Sequence, residues 1–117
     1  VNLNMDISIS KLVSRIHLMN KSWKIAVERF GVESPISQAL RNRKSGLQVR
    51  LLREYPEKSW LQIDNETVSD EPLFSVRLLI DDPGEYKGRI DADHLPVRIA
   101  NEVFTEFEIK GLEKNER

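Results

Sequence analysis

No cysteine occurs among the 117 residues. Disulfides, thiolate metal sites and thiol catalysis are therefore excluded, and the composition suits a reducing, cytoplasmic setting. No apolar run approaches the roughly 20 residues that a membrane helix requires, so no membrane role is expected. The opening residues show no charged-then-apolar pattern, so no targeting leader is expected either. A Gly-rich phosphate loop, G-x-S-x-G and H-E-x-x-H are all missing. Histidine occurs only twice, as His17 and His94. Without a recognisable catalytic set, neither an enzyme activity nor a cofactor is expected.

What remains is an ordinary, rather polar composition, 39% hydrophobic and 32% charged. The length fits one domain over residues 1–117. The formal net charge of −1 hides a division. Residues 1–58 hold 11 basic and 5 acidic side chains, a balance of +6, and residues 59–117 hold 7 and 14, a balance of −7. Two oppositely charged halves suit two faces with different partners, or halves that face one another.

Ile9, Leu12, Ile16, Met19, Trp23, Ala26 and Phe30 alternate spacings of three and four. This period predicts one long helix over 9–30, with Ser8 as its N-cap and Gly31 at the left-handed position after it. A break at Asn20-Lys21-Ser22 would give two helices, but the stripe keeps phase across it. Ser34 and Pro35 suit the start of a second helix, predicted over 35–44 and ended by Gly46. The helical part is thus about 8–45 and a β-rich part about 47–112. Strands are predicted at 47–52, 60–63, 73–80 and 86–91. Asp81-Asp82-Pro83-Gly84 supplies the turn between the last two. Residues 96–110 fit either a helix or a strand, and the β-branched and aromatic content of 103–110 favours a strand. The expected fold is α+β: a long and a short helix packed on an antiparallel sheet of four or five strands. The stripe on 9–30 is expected to lie on that sheet. A homodimer through the same helix, anchored by Met19 and Trp23, is the competing use of the stripe.

Asp91-Ala92-Asp93-His94 is the one cluster of metal-ligand residue types. It has no second cluster at ligand spacing, reads as a solvated turn, and no metal is expected. His17 sits beside the apolar stripe and reads as a packing or surface residue, since a general base needs an oriented partner.

The profile as a whole points to a non-catalytic binding or regulatory module acting through a protein partner: an adaptor, an inhibitor or immunity-type protein, or an accessory subunit. The expected contact face towards a basic partner is the acidic set Asp64, Glu66, Asp70, Glu71, Asp81, Asp82 and Glu85. The alternative is nucleic acid. Residues 27–44 resemble the last two helices of a helix-turn-helix, although the turn is about one residue short for that motif. The resemblance implies that helix 35–44 reads DNA through Ser37, Gln38, Arg41, Asn42, Arg43 and Lys44.

Overall fold

The computed structural model describes residues 8–80 and 88–114. Helix α1 spans Ile9–Phe30 without a break. The Ser8 side chain accepts from Lys11 N at 3.2 Å as expected, whereas Gly31 combines a φ of 91° with an extended ψ of 158°, open to glycine but not the left-handed helical position. Helix α2 spans Pro35–Glu54, with the Ser34 side chain accepting from Ser37 N. Three strands follow: β1 (Ser59–Asp64), β2 (Leu73–Ile80) and β3 (Gly88–Pro96). Two short helices end the described chain, α3 (Val97–Val103) and α4 (Glu106–Lys114). The architecture is α+β, with a three-stranded antiparallel sheet in the order β1-β2-β3 among the described residues.

The sheet has fewer strands than the four or five expected, because two segments read as strands are helical. Residues 47–52 continue α2 through Gly46. A glycine inside a helix costs only about 1 kcal/mol, and burying Leu51 and Leu52 completely or nearly so outweighs that. Residues 103–110 fall in the α3–α4 corner. Thr105 and Glu108 cap α4 reciprocally: Glu108 N donates to Thr105 Oγ1 at 3.1 Å and Thr105 N donates to Glu108 Oε1 at 2.8 Å. This T-x-x-E box is a helix start, and it outweighs the alternation of Val103, Thr105, Phe107 and Ile109. Ile109 and Leu112 are buried, whereas Phe107 is 87% exposed. The expected turn at 81–84 lies outside the described residues.

Leu12, Val13 and Ile16 of α1 meet Leu51 and Leu52 of α2 and the inward row Phe74, Val76 and Leu78 of β2. Leu61, Ala92 and Leu95 complete the sheet's share of the core, and Ala100, Phe104, Ile109 and Leu112 close it from α3 and α4. The stripe on α1 is used differently from expectation. Its main neighbour is α2, with a smaller contact on β3. Trp23 is half-buried, and Phe30 at the far end is 61% exposed. No helix among the described residues is long and apolar enough to cross a membrane.

Candidate cationic pocket

The two long helices form a hairpin locked at its turn. The Ser37 hydroxyl donates to Gly31 O at 2.7 Å and accepts from the Ser34 hydroxyl at 2.8 Å. From Ser37 the inward stripe of α2 is polar for three turns: Ser37, Lys44, Ser45 and Gln48 are buried, and Arg41 is half-buried. A buried polar stripe must find partners. Those partners build the site.

Gln48 is fully buried, and its Nε2 donates to Ala92 O at 2.7 Å and His94 O at 3.1 Å. The strand there is irregular. Ser75 pairs with His94 and Arg77 with Asp91, so two residues of β3 oppose one of β2. This is a β-bulge, which frees carbonyls from the ladder and re-aims side chains. Gln48 satisfies the freed carbonyls. Asp93, in the bulge, has a φ of 65°, a left-handed conformation that aspartate tolerates better than most non-glycine residues.

The bulge turns neighbouring side chains to different partners. Asp93 Oδ2 lies 2.9 Å from Nδ1 of His17 on α1. His94 Nε2 lies 2.8 Å from Oδ2 of Asp64 at the end of β1. Asp91 lies 2.6 Å from Nε of Arg77 on β2. The metal-like run in the sequence is thus spread over three different pairs. Among the described residues no group of three or more acidic or histidine side chains is placed to hold a metal.

The hydrogen bond to Asp93 raises the pKa of His17 above the usual 6.5. Partial burial opposes the shift, and the charges of Asp93 and Asp91 on β3 assist it. The Thr67 hydroxyl and the Glu66 N–H, both donating to the Asp64 carboxylate, lower its pKa to about 2, with His94 assisting. A histidine with a raised pKa stabilises the fold fully below 6.5 and loses that contribution as pH rises through the raised value. We therefore expect the His17–Asp93 link between α1 and β3 to be firm in mild acid and to weaken at higher pH. An NMR titration of His17 should show a midpoint above 6.5 that returns to the ordinary value in Asp93→Asn. A midpoint at or below 6.5 in the unsubstituted protein would contradict the linkage.

Between α1, α2, the loop after β1 and the bulge lies a pocket of about 370 Å³. Lys24, Arg41 and Lys44 line it with Asn20, Trp23, Asp93 and His94, and Thr67, Val68 and Ser69 of the loop form one wall. The Trp23 ring carries two cations, with the Arg41 guanidinium 5.6 Å and the Lys44 ammonium 5.2 Å from its centroid. Lys44 Nζ donates to Asn20 Oδ1 at 3.0 Å. Burial lowers the Lys44 pKa to about 8, and the nearby charges of Arg41 and Lys24 add to the effect against the pull of Asp93. Glu71 is shared between Arg41, at 3.2 Å, and Arg98, at 3.1 Å, and the Arg98 bond leads in holding its pKa down.

The expected acidic face is partly consumed by these contacts. Asp64 and Glu71 have internal partners, Glu66 and Asp70 are exposed, and Asp81, Asp82 and Glu85 lie outside the described residues. On the expected DNA-reading helix, Gln38, Asn42 and Arg43 are exposed, while Ser37 and Lys44 point inward and Arg41 is held by Glu71. Sequence reasoning missed Asn20, Lys24 and Gln48, and gave Trp23 and Asp93 other roles, as a dimer anchor and in a metal-like run. One signal was available: Ser37, Arg41, Lys44 and Gln48 repeat at helical spacing, as a polar stripe in phase with Leu51 and Leu52. The chain matches no protein-family model, no curated protein and no solved structure with which it was compared.

Proposed function

We propose that this chain is a binding module without turnover chemistry, and that its cationic pocket holds a carboxylate of the bound partner. One observation supports this above others: Lys24, Arg41 and Lys44 line a single pocket beside an aromatic face. The lining carboxylate, Asp93, is already engaged by His17. Glu71 takes one Arg41 amino group; with Lys24 and Lys44 beside it the local charge still favours an anion, and the rest of the Arg41 guanidinium suits a carboxylate. The volume lies near the lower end of ligand pockets, which fits a small acid or one acidic side chain of a protein partner. This inverts the sign of the face first expected from charge counts, since the partner presents the acid.

The sources separate in one titration followed by amide NMR at low salt, with succinate in one arm and a short Glu-rich peptide in the other. Shifts centred on Asn20, Trp23, Arg41 and Lys44 are expected, with salt-dependent affinity. Arg41→Ala should weaken binding by about tenfold or more. Saturation by the peptide at much lower concentration than succinate assigns the site to a protein partner, and the reverse assigns it to a free acid. An unchanged spectrum in both arms would overturn the reading. Duplex DNA is the second reading, favoured by the exposure of Gln38, Asn42 and Arg43 on one stretch of α2. Low-salt duplex binding that Arg43→Ala abolishes would support it.

A further inference from the structure

We infer that Lys44 is a carbonyl-capturing amine, whose Nζ condenses with the keto group of a 2-oxo acid while Arg41 holds the acid's carboxylate. The inference rests on the pocket reading above and names its ligand class.

Lys44 is 5% exposed, and among the described residues no other lysine or arginine is buried. Its ammonium meets an amide oxygen and an aromatic face, and no described carboxylate lies within ion-pair distance of it. A buried lysine held for stability alone normally has a carboxylate partner. Here Asp93 acts only from farther off, and Arg41 and Lys24 oppose the charge. Burial and like-charged neighbours are the two means by which proteins free a lysine amine for nucleophilic attack. A pKa of about 8 leaves an appreciable fraction of that amine neutral near pH 7.5.

Geometry selects the ligand. Arg41 and Lys44 are one turn apart on α2, with Cβ atoms about 5–6 Å apart in such pairs. Both face the pocket and both lie over the Trp23 ring. A carboxylate on the guanidinium edge places the adjacent carbonyl carbon towards Nζ. The nitrogen lone pair forms the C–N bond as the C=O π pair moves to oxygen, which takes a proton. The two protons leaving nitrogen pass through water, which delivers a second one to that oxygen. Loss of that oxygen as water then gives the C=N bond. One water leaves for each imine formed, and no oxidant or reductant takes part. The step is reversible capture and demands no turnover.

The test treats the intact protein at pH 7.5 with pyruvate and sodium cyanoborohydride, then locates the reduced adduct by peptide mass spectrometry. L-lactate, the hydroxy counterpart, is titrated in parallel by amide NMR. Labelling of Lys44 at least about tenfold above the exposed Lys21 supports the inference. So does a drop in that labelling in Arg41→Ala, whose fold is checked by its own spectrum. If lactate binds but Lys44 is labelled no more than Lys21, the inference fails and the carboxylate pocket stands. If neither acid shifts the spectrum and no label appears, the inference fails, and the succinate and peptide arms decide the carboxylate reading. Labelling of Lys44 without lactate binding supports capture through the keto group and counts against a free hydroxy acid as the pocket's ligand.

Discussion

Lys44→Met should melt at a higher temperature than the unsubstituted protein while losing carboxylate binding. The lowered pKa means that the fold resists the ammonium at neutral pH. From an ordinary 10.5 down to about 8, that resistance is worth on the order of 3 kcal/mol. Methionine gives up the hydrogen bond to Asn20, which offsets about 1–2 kcal/mol of that gain. A methionine fills similar volume, keeps contact with the ring and carries no charge. The expected net gain is about 1–2 kcal/mol, or several degrees in Tm for a domain of this size. Its pH dependence is a second signature. Between about pH 8 and 10.5 the unfolded lysine keeps a proton that the folded one has released, so the unsubstituted protein gains stability with rising pH there. The variant lacks that slope, and its advantage shrinks accordingly. A variant that melts lower at pH 7, with the slope intact, would contradict this account of Lys44.

Gln48→Leu should be the most damaging single change to the site, although it touches no ligand. Leucine matches the volume but leaves Ala92 O and His94 O without their donor. An orphaned buried carbonyl such as Ala92 O costs about 1–3 kcal/mol, and the part-buried His94 O costs less. One offset exists, because Gln48 Oε1 is itself buried without a hydrogen-bond partner. A net loss of about 2–4 kcal/mol is expected in denaturant unfolding. The bulge should also relax. Asp93 then has no reason to hold its left-handed backbone, and His17 loses its acceptor. The His17 titration midpoint should therefore fall back towards 6.5 in this variant. A loss below about 0.5 kcal/mol with His17 unchanged would show that the bulge holds its own shape.

The α1 stripe was legible because Leu12, Val13 and Ile16 are apolar, in phase and buried. Strands β1 and β2 were legible because Phe74, Val76 and Leu78 alternate into the core. Helix α2 runs ten residues past its expected end for a physical reason. Its inward face carries Ser37, Arg41, Lys44 and Gln48, so an apolar-period test finds little there and then mistakes Leu47, Val49 and Leu51 for a strand. The α4 start was missed because alternating apolar residues outweighed a four-residue capping box. The site was almost invisible. His17 and Asp93 are 76 residues apart and Lys44 and Asn20 are 24 apart, and their hydrogen bonds depend on how α1, α2 and β3 come together.

Residue chemistry over short stretches determined the caps of α1, the first turn of α2, the alternation of β2 and the exclusion of thiol chemistry. Each of these depends on neighbours within a few positions. Packing decided the length of α2, the strand count, the bulge and the pocket. A polar side chain is placed inward only when the rest of the fold supplies its partner, as Ala92 and His94 do for Gln48 and as Trp23 and Asn20 do for Lys44.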